Sequence, residues 1–152
     1  MARIGLRLRM RLRVAVLGGL STVSICWPQR RVFAGHPRQV AQARRFVAGL
    51  LADCPVADTA VLLTSEVVTN ALAHTPSGYG GTFEVVVWRG ARTVCVAVMD
   101  GGAPDAPAPE SVTLHAETGR GLALVASLAA CWGHEGGRPG RAVWFLLRWP
   151  GE

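Results

Sequence analysis

Three short stretches of this chain hold polar residues where a ligand or a reaction could be served. The first is Val61–His74, V-L-L-T-S-E-V-V-T-N-A-L-A-H, in which Glu66, Asn70 and His74 recur every four residues of an otherwise apolar run. In a helix that spacing puts all three on one stripe. Polar side chains on a buried helix demand partners, because an unpaired buried charge is costly. Asn70 is also the only asparagine in the chain, and asparagine is disfavoured in a helix interior relative to alanine. The stripe reads either as a ligand site or as a solvent-facing or internally hydrogen-bonded row. The second stretch is Met99-Asp100-Gly101-Gly102. A carboxylate there can accept from an amino group, while glycines let a flat ligand approach the backbone; alone, it is equally a turn. The third, Glu117-Thr118-Gly119-Arg120-Gly121, sets two glycines and a cation at the expected start of a helix, where free N–H groups and the helix dipole favour an anion. A Walker loop is excluded, since its lysine has no counterpart in a chain without lysine.

The elements that must position these residues follow from periodicity. Arg30–Ala34 predicts a short edge strand. His36-Pro37 opens a helix on which Val40, Ala43, Phe46, Val47, Leu50 and Leu51 recur at helical spacing. Asp58 is a suitable N-cap for a second helix from Thr59 to about His74, stopped by Pro76 and the glycines after it. Valine-rich Thr82–Arg89 and Arg92–Met99, joined at Gly90-Ala91, predict a hairpin. Residues 101–118 lose all periodicity, and loops of that length inside compact domains are usually functional or disordered. Gly121–Cys131 predicts a third helix, and Trp132–Glu135 with Arg141–Trp149 a closing pair of strands. Grouped helices and hairpin-linked strands predict a two-layer α/β sandwich, with a mixed, mainly antiparallel sheet covered on one face.

The order and spacing of the three stretches resemble those of the GHKL (Bergerat-fold, histidine kinase-like) ATPase superfamily, and most of all the small bacterial anti-sigma-factor serine/threonine kinases. S-E-V-V-T-N-A-L-A-H-T (65–75) is similar to the family's N box, V-A-V-M-D-G-G-A-P (96–104) to its first glycine box, and T-G-R-G-L-A-L-V-A-S-L-A-A-C-W-G (118–133) to its second. The resemblance covers about residue 30 to the end. It implies ATP as ligand and Mg²⁺ held by Asn70, with Glu66 as general base toward an attacking hydroxyl or water. Asp100 would accept from the adenine amino group, Gly102 would give the base room, and Gly119, Arg120 and Gly121 would hold phosphates. Residues 103–118 would form a lid, and His74 carries no role beyond a helix-end hydrogen bond. The implied activity is phosphotransfer to a Ser or Thr of a small antagonist protein, with that antagonist or a sigma factor as partner and a homodimer as an open assembly. The alternative is a non-catalytic, nucleotide-responsive regulator. Three departures stand out: Ala103-Pro104 stiffens the first glycine box, Ala142 stands where relatives often carry a threonine near the adenine, and the expected lid is proline-rich and short of cations.

Composition sets the remaining bounds. At 152 residues and half apolar, the chain is one domain's worth. All sixteen cations are arginine, and residues 1–31 hold seven of them with no acid. The remainder carries nine arginines against ten acids, a net formal charge of −1. The basic character therefore belongs to the N-terminal segment and argues against a nucleic-acid surface on the domain. Residues 1–26 are expected to be a poorly ordered extension and 27–152 the domain. Arg3–Arg13 followed by the apolar Val14–Cys26 reads either as a signal-like segment or as an over-long start, and the second suits a cytoplasmic ATP user; the apolar stretch is too short to span a bilayer, so no membrane is expected. The four cysteines form no C-x-x-C and no metal-ligand spacing, so they read as core or isolated thiols.

Overall fold

The computed structural model of the chain describes residues 28–74, 78, 80–101, 116–136 and 140–151. The N-terminal extension, Gly102 and most of the expected lid lie outside them. In chain order come β1 (Gln29–Ala34), α1 (Gln39–Leu50), α2 (Ala57–His74), β2 (Thr82–Arg89), β3 (Thr93–Asp100), α3 (Ala116–Leu128), β4 (Cys131–Gly136) and β5 (Arg141–Arg148). The strands form one sheet in the order β1-β2-β3-β5-β4. All four pairings are antiparallel, so the described part of the sheet holds no parallel pair.

Alternation along the strands divides the core. Phe33, Phe83, Val85, Val87, Val94, Val96, Val98, Val143, Phe145 and Leu147 pack against the helices, with Ala43, Val47, Leu63, Val67, Leu122 and Val125 meeting them from the helical side. The opposite face carries a smaller buried cluster of Val86, Cys95, Ala97, Met99, Ala142 and Leu146, with Trp88 and Trp144 packed against it. Phe33 stacks on Phe83 at 5.2 Å between centroids, and Phe46 of α1 meets Phe33 edge-on at 6.0 Å. These contacts fix the edge strand to the first helix. Arg89 makes a two-pronged ion pair with Asp53 at 2.7 and 2.8 Å, tying the turn after α1 to the end of β2. Burial pushes the Cys95 thiol well above the ordinary thiol range, as expected for a small core residue.

Two element boundaries differ from the sequence expectation. α2 begins at Ala57, so Asp58 lies inside its first turn rather than capping it; there it still meets the positive end of the helix dipole. α3 begins at Ala116 rather than Gly121 and ends at Leu128. Ala116 and Glu117 are good helix formers, and the helix propagates through them ahead of the glycines. Cys131 consequently belongs to β4. No helix of the described residues is long and apolar enough to cross a membrane.

Candidate functional site

α2 is sandwiched between the sheet and its neighbouring helices, so nearly every side of it is covered. Leu63, Thr64, Val67, Val68, Asn70 and Ala71 are all buried. Thr64 satisfies its hydroxyl locally, donating to the Ala60 carbonyl at 2.7 Å. The predicted polar stripe climbs out of this packing: Glu66 is half-buried, Asn70 buried and His74 exposed at the helix end. Asn70 is therefore the member that most needs a partner.

Its partner comes from the far end of the chain. Asp100 closes β3 and Arg141 opens β5, and the two stand directly opposite in the antiparallel register. Arg141 donates from Nε and Nη2 to Asp100 Oδ2 at 3.3 and 3.1 Å. The same Nη2 donates to Asn70 Oδ1 at 3.3 Å. The three residues are 1 % (Asp100), 3 % (Arg141) and 7 % (Asn70) exposed, and with Thr64 they are the buried polar or charged groups among the described residues. One guanidinium thus joins the first two sequence stretches into a single buried site. The contacts are longer than the 2.6–2.9 Å of the Arg30–Glu84 pair. Charge-assisted bonds usually fall at about 2.7–2.9 Å, so all three contacts of this guanidinium are long for their kind.

The third stretch enters through α3. Gly121 sits so close to α2 that a Cβ built on it would lie 2.5 Å from Glu66 Oε2 and 3.3 Å from Glu66 Cβ. The glycine is required by this approach, and it presses the backbone of α3 against the carboxylate. Because α3 starts at Ala116, Gly119 carries the fourth N–H of the helix, the last of those a helix leaves unsatisfied, and Arg120 and Gly121 follow it. Arg120 is exposed on the helix surface.

Arg141 was not singled out by sequence reasoning. The departure assigned there to Ala142 also moves, since Ala142 packs in the cluster on the opposite face of the sheet and cannot meet a ligand beside Asp100. Arg141 is the residue of that strand on the site's side. A signal was present: an arginine directly after Gly140 heads a strand that is otherwise Ala-Val-Trp-Phe-Leu-Leu, and a charge at the head of so apolar a strand must find a partner.

Mg²⁺ would take its protein ligand from Asn70, whose oxygen already accepts from the buried Arg141 guanidinium at 3.3 Å. No group of three or more His, Cys, Asp or Glu side chains among the described residues could hold a metal.

A family model described as a histidine kinase-like ATPase domain matches residues 33–145, well over half of the chain. No curated protein matches the chain.

Proposed function

Since the chain belongs to the histidine kinase-like ATPase family, whose domain implies ATP binding, we propose that it is an ATP-dependent protein kinase of the anti-sigma-factor type. ATP sits between α2 and the β3–β5 end of the sheet, and its γ-phosphoryl group passes to a Ser or Thr hydroxyl of a small antagonist protein. The observation that supports this reading is the convergence of Asn70 and Asp100 on one buried guanidinium, that of Arg141, with Glu66 one helical turn from Asn70. On this reading the Asp100 carboxylate, at the end of β3, accepts from the exocyclic amino group of adenine, and Gly102 is the residue expected to give the base room. Arg120, exposed on α3, supplies positive charge for the phosphates, together with the neighbouring Gly119 and Gly121.

Glu66 has the position and chemistry of a general base. The acceptor hydroxyl oxygen bonds to the γ-phosphorus as the bond to the β–γ bridging oxygen breaks. The hydroxyl proton goes to the Glu66 carboxylate and ADP carries away the electron pair. A divalent ion bound with the nucleotide would neutralise charge on its phosphates. Asn70 would offer that ion its amide oxygen. The partners this reading implies are the antagonist protein and a sigma factor, and its compartment is the cytoplasm, where ATP is found.

Calorimetric titration of the full chain with ATP, with and without Mg²⁺, tests the site. Wild type should bind and Asn70→Ala should lose most of the Mg²⁺-dependent gain. Equal Mg²⁺ dependence in both would remove Asn70 from the metal. A wild type that binds ATP yet transfers phosphate to neither candidate antagonists nor water would make the protein a nucleotide-responsive regulator instead.

A further inference from the structure

Asp100 alone would read one atom of a base edge, and Arg141 adds a second reading group beside it. We propose that Arg141 is a specificity-determining residue of the nucleotide site, donating an N–H to the ring N1 of adenine while Asp100 accepts from the exocyclic amino group. The inference rests on the ATP reading above.

Three observations support it. Arg141 and Asp100 face each other in register across β3 and β5, so their backbones fix them as neighbours whatever ligand is bound. Both are almost fully buried, and separating a buried pair strands an uncompensated charge, a large penalty. A ligand that accepts the pair as it stands avoids that penalty, whereas a ligand that expels the guanidinium incurs it. Finally, the three bonds of Arg141 use Nε and Nη2 and leave out Nη1, which carries two further donors in the same plane. Only the long Asn70 contact need open for the guanidinium to keep Asp100 and turn a donor to a base.

Chemically, the result is an acceptor and a donor side by side. Adenine presents the complement, an amino donor at C6 beside the N1 acceptor. Hypoxanthine in the same pose presents an acceptor at C6 toward Asp100 and an N1–H toward the guanidinium, so both contacts oppose. Arg141 thereby does the work of the hydroxyl that Ala142, on the far face, does not supply.

The test compares ATP, 1-deaza-ATP (which lacks the N1 acceptor) and ITP by calorimetry on the full chain and on Arg141→Lys. Lysine keeps a cation for Asp100 but cannot hold the carboxylate and a base nitrogen in one plane. Wild type should bind 1-deaza-ATP at least ~10-fold more weakly than ATP, the scale of one hydrogen bond to a charged group. In Arg141→Lys that ratio should fall toward one, and the preference for ATP over ITP should shrink by a similar factor. If the variant fails to fold, the wild-type ratio decides alone. ATP and 1-deaza-ATP binding equally to wild type overturns the role of Arg141 while leaving the ATP site standing. Tighter ATP binding by Arg141→Lys would show that the arginine is a plug which nucleotide must expel, and would overturn it too. Failure of every nucleotide to bind the folded wild type overturns both this inference and the ATP reading beneath it.

Discussion

Replacing Gly121 with alanine adds one methyl group at the point where α3 presses on α2. A Cβ built there lies 2.5 Å from Glu66 Oε2, and ordinary contact begins near 3.4 Å, so the carboxylate must retreat by about 0.9 Å. The atom it meets is the far end of a half-buried side chain, which can rotate away. Alanine in a helix interior is favoured over glycine by ~1 kcal/mol, while a modest overpacking costs about 1–3 kcal/mol. The two nearly offset, and the melting temperature should change by no more than a few degrees. If the chain is the kinase proposed above, with Glu66 as its base, catalysis should not be spared: a misplacement of about 1 Å can cost ~10²-fold, and a general base contributes ~10²–10⁴-fold in total. Gly121→Ala should therefore lose roughly 10²-fold in phosphotransfer with ATP affinity little changed. The decisive assay is a double-mutant cycle with Glu66→Ala. If Gly121 acts through Glu66, the alanine at 121 should have little further effect once the carboxylate is gone. Additive losses, or a Gly121→Ala enzyme that turns over normally, would refute the reasoning.

Asp100→Ala should abolish the ATP-induced rise in melting temperature, which is about 2.7 kcal/mol at a hundredfold excess over the dissociation constant. It should also cost about 3–5 kcal/mol in the unliganded protein, because Arg141 is left buried without its carboxylate; a ligand-free stability equal to wild type would contradict the bridge. Acid denaturation should report the Arg89–Asp53 pair. The guanidinium holds the Asp53 carboxyl below its ordinary value, so this stabilisation is present above the unfolded aspartate pKa of ~3.9 and is lost as pH falls toward the lower folded value. Asp53→Asn should remove that part of the acid limb, and an unchanged pH profile would assign the limb to other groups.

Local pattern carried most of the architecture. The alternation Phe83-Glu84-Val85-Val86-Val87 and the four-residue recurrence of Glu66, Asn70 and His74 are local facts, and local facts survive folding. Glu66, Asn70 and Asp100 were therefore legible as polar exceptions within apolar elements. Arg141 was not, because its meaning lies in a pairing across the sheet with Asp100, and strand register between distant segments leaves little local signature. The start of α3 was misplaced for a related reason. Glycine marks helix ends by propensity, but Gly121 is there because Glu66 comes within a methyl's reach, a tertiary cause that propensity cannot see.

The register of β1 bears on how the molecule assembles. β2 and β3 are joined by a tight turn, with Gly90 N–H donating to the Thr93 carbonyl at 2.8 Å, and β4 and β5 are likewise sequence neighbours. These hairpins close at small entropic cost. Gln29 must instead find Val87 across all of α1 and α2, and closing so long a loop comes ahead of any pairing gain. The β4–β5 hairpin must likewise find β3 across α3, from Asp100 to Arg141, so β1 and that hairpin are both expected to zip onto β2–β3 late, with their contacts absent from the folding transition state. Substitutions at Phe33 should then hasten unfolding rather than slow folding. The β2–β3 hairpin, in the middle of the sheet, is the template on which both edges are laid.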